Sequence, residues 1–230
     1  MARVPADERR KDLIRAAIRV IAEHGVDGAT TRRIAAEAEA SLASLHYVFH
    51  SKKDLFFAID EEQVRLFGEL RLDRVPSGIG LGQTAAEILR MVMEWFMDQG
   101  DLPRATIELQ LWALRHDPSL AVRSYDVYIT RTVAGLERAR TSEDSDELVE
   151  SLARMVAAAA DGLTLQWLTY RDRDQLAVEL ELFGLAMEQL VAEHRNPSGQ
   201  TRPRQPTQAR LKASIGSHNA QLVYSLNRGD

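Results

Sequence analysis

Residues 30–55 read TTRRIAAEAEASLASLHYVFHSKKDL, and this stretch decides the fold. The Thr30 hydroxyl is placed to accept a bond from a free backbone N–H one turn on, as an N-cap does. Ile34, Ala35 and Ala38 then share one helical face. Ser41 repeats the cap, and Leu45, Val48 and Phe49 follow at helical spacing. Ser51 with Asp54 reads as a capping box, with Asp in the usual Glu position. Three capped helix starts so close together predict a compact helix-turn-helix. In such a unit the second helix can lie in a DNA major groove while the first crosses the backbone.

The same residues resemble the DNA-binding domain of the tetracycline-repressor (TetR-like) family of bacterial transcriptional regulators. The shared positions are Thr30, Thr31, Ile34, Ala35, Ala38, Ser41, Leu45, Phe49, Ser51, Lys52, Asp54 and Leu55. The chain departs at Glu39, where the family has its turn glycine, and at Ala43, where it often has glycine. It also departs at His46 and Val48, where the family has Tyr and His. The resemblance implies an all-α protein of about nine helices. A three-helix DNA-binding head would precede a helical domain that binds a ligand and dimerises.

For DNA binding, phosphate contacts supply affinity and base-edge contacts supply sequence preference. The helix starts at Thr30, Thr31 and Ser41 offer N–H groups and hydroxyls to phosphates. Lys52, at the next helix start, is placed to reach another phosphate. Arg32 and Arg33 lie on the exposed side of the first helix of the motif, and Leu42, Ala43, Ser44, His46 and Tyr47 are the outward positions of the second. The resemblance puts His46 and Tyr47 where the family has groove-facing aromatics. His46 can donate to a phosphate or a guanine acceptor, and Leu42 or Ala43 can meet a thymine methyl. Each of these is otherwise an ordinary solvated side chain. Glu39 stands where the family glycine tolerates a positive φ, at a cost of roughly 1 kcal/mol for any other residue.

The 230 residues are 45% hydrophobic and 27% charged, as in an ordinary globular protein. No apolar run approaches the roughly 20 residues that span a bilayer. The start, MARVPADERRKDL, lacks the apolar core of a signal peptide. With no cysteine, disulfides, thiolate metal sites and cysteine nucleophiles are excluded. A cytoplasmic protein without membrane association is expected. The net charge of −5 is unevenly spread. Lys and Arg outnumber Asp and Glu over residues 1–55 and again over 195–230, whereas 56–194 is strongly acidic. A basic head on an acidic body turns one end toward phosphates, and Arg9, Arg10 and Lys11 extend that end.

Outside the motif, a first helix is predicted over 7–24. Its stripe of Leu13, Ile14, Ala17, Ile18, Ile21 and Ala22 packs on Ile34, Leu45 and Phe49, and Gly25 ends it. A fourth runs from Lys52 to about Leu72, with Asp60, Glu61, Glu62 and Arg65 on its wet side. It starts in the head and ends in the body, as a lever would. Residues 75–82 (VPSGIGLG) form a loop, and no strand precedes its GxGxG, so no nucleotide site is expected. Thr84 with Glu87 reads as the capping box of a fifth helix. Pro103 opens a sixth, Asp117-Pro118 a seventh, and TSEDSD (141–146) is a polar break. Helices over 147–171 and 175–194 make a long hairpin. After Arg195 a basic, Pro- and Gln-rich tail is expected to be disordered. The domains read 1–55 for DNA binding, 56–194 for effector binding and dimerisation, and 195–230 for the tail.

Trp95, Trp112 and Trp167 fall on three different helices, with Met91, Leu109, Tyr125, Tyr128 and Leu163 between them. Such convergence either lines an apolar pocket or fills a core. The resemblance implies a small apolar or amphipathic effector there, and Glu94, Glu108 and Asp161 would favour a cation. By the same resemblance the last two helices make a dimer interface through Leu152, Met155, Leu180, Phe183 and Met187. A second copy would also cover Val149, Val178, Leu182 and Leu185, which lie outside the main stripe. His46 and His50 have zinc-like spacing but no third ligand, so no metal is expected. Asp161-Gly-Leu has no paired nucleophile, so neither catalysis nor a cofactor is expected. The sequence therefore reads as a homodimeric regulator of double-stranded DNA, a repressor of a pseudo-palindromic operator released by a small molecule. Two alternatives share the fold: a DNA-binding regulator without a ligand, and a helical adaptor that no longer binds DNA.

Overall fold

Local chemistry sets most of the helix boundaries in the computed structural model, which describes residues 5–76 and 78–195. The tail beyond Arg195, and what the sequence predicts for it, lies outside the described residues. The regular structure described is helical throughout: α1 Ala6–Gly28, α2 Thr31–Glu37, α3 Leu42–Val48, α4 Lys52–Glu69, α5 Leu81–Asp98, α6 Leu102–His116, α7 Pro118–Leu136, α8 Asp146–Tyr170 and α9 Arg173–Arg195. Short 3-10 turns follow at Leu72–Arg74 and Glu137–Ala139.

The caps sit where the sequence puts them. Thr30 Oγ1 accepts from Arg33 N at 3.2 Å and Ser41 Oγ from Ser44 N at 3.1 Å. Ser51 and Asp54 exchange both capping-box bonds, at 3.0 and 3.1 Å. Asp117 caps α7 with Pro118 in its first turn. Gly25 takes φ 69° as expected of a helix end, but helical turns resume beyond it to Gly28. Thr84 does not cap the fifth helix. The fifth helix begins a turn earlier, at Leu81 behind Gly80, and Thr84 is buried inside it. Its hydroxyl donates back to Gly80 O at 2.8 Å, a bond made by a helix-interior threonine rather than by a cap.

The turn between α2 and α3 closes as a Schellman motif. Ala40 N donates to Ala35 O at 2.8 Å and Glu39 N to Ala36 O at 3.0 Å. Glu39 occupies the left-handed position with φ 48°, as its alignment with a turn glycine predicts.

The described helices enclose two large cores and a small cluster of Ala113, Leu120 and Ala121 between α6 and α7. The first gathers Leu13 and Ile21 of α1, Ile34 of α2, Leu45 and Phe49 around α3, and Leu55, Phe56 and Ile59 of α4. Ala105 and Leu109 of α6 belong to it as well, so the sixth helix closes the head from below. The second core joins Phe67 of α4 to α5, α7, α8 and α9, with Ile88, Leu89, Met93, Leu152 and Met187 fully buried. Each such side chain contributes about 1.5–3 kcal/mol by leaving water. The α5 and α9 backbones meet closely at Gly82: a Cβ built there would lie 2.6 Å from Glu188 Cα. Lys53 Nζ meets Asp117 at 2.7 Å and so ties the start of α4 to the α6–α7 turn.

Candidate nucleic-acid interface and ligand cavity

The head core buries one side of α3 and presents the other. Leu45 is buried on the inner side, whereas Tyr47 is 79% exposed, and Ser41, Ala43 and His46 are exposed with it. Thr30 and Arg32 are also exposed, and Thr31 and Ser44 are half-buried. Leu42 is half-buried against the head core, which leaves only part of it outward. Two of the expected phosphate ligands are anchored to the end of α1. Arg33 Nη1 donates to Gly28 O at 2.6 Å, and Lys52 Nζ to Val26 O at 2.7 Å. Lys52 also lies 5.3 Å from the Phe56 ring. Burial lowers its ammonium pKa, and the charge of Asp27 partly restores it. An ammonium carries three donors, so one bond to Val26 leaves Lys52 able to make others.

A cavity of about 760 Å³ opens among α4, α5, α6, α7 and α8. Leu109, Tyr125 and Tyr128, three of the residues named from the sequence, line it. The other expected lining residues lie elsewhere, because the large side chains fill helix crossings. Met91, Trp95 and Leu163 belong to the body core, with Trp95 edge-on to Phe67 at 5.8 Å. Trp112 leans on the head, edge-on to Phe56 at 5.0 Å and stacked on His116 at 5.2 Å. Trp167 sits at the α8–α9 turn, with the Arg171 and Arg173 guanidinium groups 5.3 and 5.7 Å from its ring.

Asp60 is the residue that the sequence reading put on the wrong side. Expected to be wet, it is buried in the cavity wall, where it accepts from Ser124 Oγ and from Arg123 Nη2 at 3.0 Å. Gln63, one turn on, is buried too and donates to the Tyr128 hydroxyl. Phe56, Asp60, Gln63 and Phe67 fall on one stripe of α4, and that periodicity was the available signal. The Tyr125 hydroxyl donates to Asp161 across the cavity wall. Desolvation raises both tyrosine pKa values, with the carboxylates adding to it, so both phenols are neutral hydrogen-bonding groups. Desolvation also raises the Asp161 carboxyl, and the bond from Tyr125 lowers it in part. Glu94 pairs with Arg90 at 2.5 Å outside the cavity, and Glu108 faces Gly25 of α1.

Leu152 and Met187, expected at a dimer face, are fully buried in the protomer's own core. Met155 and Leu180 are half-buried against that core, and Phe183 is 36% exposed. The large apolar side chains that α8 and α9 do present to solvent are Leu165, Tyr170, Val178, Leu182, Phe183 and Leu185. Among the described residues no helix is long and apolar enough to cross a membrane.

Residues 13–59 match the family described as bacterial regulatory proteins, tetR family. Over 171 residues the chain is 30% identical to the HTH-type nicotine-responsive transcriptional repressor HdnoR of Paenarthrobacter nicotinovorans, covering 72% of this chain and 86% of that one. A TetR-family member from Streptomyces coelicolor A3 superimposes with TM-score 0.59 at 27% identity, over 76% of this chain and 96% of the other. The multidrug binding protein EbrR, in complex with malachite green, gives TM-score 0.54 at 27% identity over the same shares.

Proposed function

Because the chain belongs to the tetR family of bacterial regulatory proteins, a family of DNA-binding transcriptional regulators rather than enzymes, we propose that it is a homodimeric cytoplasmic repressor of a pseudo-palindromic operator, released by a small apolar or amphipathic effector. The observation that carries this reading is the shared use of α4 and α6. Each helix packs one part of its surface into the head core and lines the cavity with another. An effector that reshapes the cavity therefore acts on the two helices that set the position of α3. By linkage, a ligand that favours a head spacing unlike that of the half-sites weakens operator binding. The repressor HdnoR responds to nicotine and EbrR binds malachite green, which supports an effector with a flat apolar body.

Residues 1–55 form the DNA-binding part, with Tyr47, His46 and Ser44 toward bases and Thr30, Thr31, Ser41, Arg32 and Lys52 toward phosphates. Residues 56–194 form the effector-binding and dimerising part, its outer face made by Leu165, Val178, Leu182 and Leu185. Selection of bound fragments from genomic DNA with the purified chain tests the reading. The expected product is a pseudo-palindrome with half-sites about one helical turn apart or a multiple of it. Failure to enrich any duplex at low salt would remove the DNA-binding function.

A further inference from the structure

The charge lining the cavity is lopsided. Asp60 is already engaged by Ser124 and by Arg123 at 3.0 Å. Asp161, on α8, receives only the Tyr125 hydroxyl and forms no ion pair among the described residues. The basic side chain in the described wall, Arg154, is taken by Glu150 at 2.8 Å. An anion entering here would meet carboxylates with no free cation to offset them. A carboxylate accepts at about four lone-pair sites, so most of the Asp161 capacity is open. The Tyr125, Tyr128 and Phe67 rings in the same wall supply π surface, which attracts organic cations, and the remaining wall is largely aliphatic.

We propose that the cavity takes an organic monocation with an apolar body, and that Asp161 is the specificity-determining residue that holds its charge. This deepens the effector reading above and rests on it. Asp126 of α7, also in the lining, is a second carboxylate without an ion pair among the described residues, whereas the Asp60 charge is offset by Arg123.

Titration calorimetry on the full chain, with three probes of similar shape, tests the assignment. These are tetraphenylphosphonium (cation), tetraphenylborate (anion) and triphenylphosphine oxide (neutral). The cation is expected to bind at least about tenfold more tightly than the anion, the least that one charge-assisted contact supplies. Asp161→Asn keeps the size of the side chain and is expected to weaken the cation by about tenfold or more while leaving the neutral probe unchanged. Tyr125→Phe releases Asp161 from its one hydrogen bond and is expected to hold or raise cation affinity, which provides a second readout if the first variant folds poorly. Equal binding of cation and neutral probe, or an Asp161→Asn protein that weakens all three alike, overturns the charge assignment and leaves the cavity as an effector site. If none of the three binds, the effector reading of the cavity falls, and this proposal with it.

Discussion

Glu39 shows how a single residue can be out of step with its own backbone. Its φ of 48° is demanded by the two Schellman hydrogen bonds that turn α2 into α3, and a Cβ in that region is strained. Glu39→Gly is expected to raise stability by about 1 kcal/mol, read as a higher melting temperature with an unchanged helical spectrum; no rise would mean that another contact relieves the strain. Asp144 behaves oppositely. Its buried carboxylate accepts from Arg195 Nε and Nη2, both at 2.8 Å, and from Thr141 N at 2.9 Å. The Arg195 guanidinium pulls its pKa from 3.8 to about 2. A depressed folded-state value stabilises the protein fully above the ordinary carboxylate range and loses that effect as pH falls toward 2. Asp144→Asn should therefore cost about 2 kcal/mol at neutral pH, a gap that closes on acidification in urea titrations. Caps and the Glu39 turn were legible in the sequence because their partners lie within a few residues. The Asp144–Arg195 pair and the Arg123 and Ser124 partners of Asp60 were not, because a carboxylate's distant partner leaves no local mark; only the α4 stripe hinted that Asp60 is buried.

At the scale of elements, apolar periodicity located each helix and the face it hides, but not its neighbour. The three tryptophans illustrate the gap. Each does lie on a buried stripe, yet Trp112 turns to the head, Trp95 to the body core and Trp167 to the last hairpin. Nothing in their spacing separates those destinations. The α5–α9 contact is of the same kind: Gly82 reads from sequence as part of a loop, whereas in the fold it lets the two helix backbones touch. A methyl there would come within 3 Å of the Glu188 backbone, which cannot yield as a side chain can. Gly82→Ala is expected to destabilise by about 1–3 kcal/mol, as overpacking does, and a melting temperature equal to wild type would show that α9 shifts freely.

For the whole molecule, the apolar side chains left on the surface of α8 and α9 are the strongest sign of a second copy. Leu182 and Leu185 are 40% and 59% exposed, so charging them removes little packing within the protomer. The double variant Leu182→Glu, Leu185→Glu should keep its melting behaviour, run as a monomer in light scattering, and lose operator affinity because one head reads only half a site. A dimer that persists would place the interface on another face. The sequence suggested these positions because they fall outside the main stripe. It misjudged Leu152 and Met187, since a single stripe cannot say whether its own chain or a partner's covers it. The sixth helix has a practical corollary for protein engineering. Because Ala105 and Leu109 complete the head core and Trp112 leans on Phe56, a chimaera that transplants residues 1–55 onto a foreign scaffold would leave the underside of that module bare. A working graft has to bring a matched counterpart of α6 along with it.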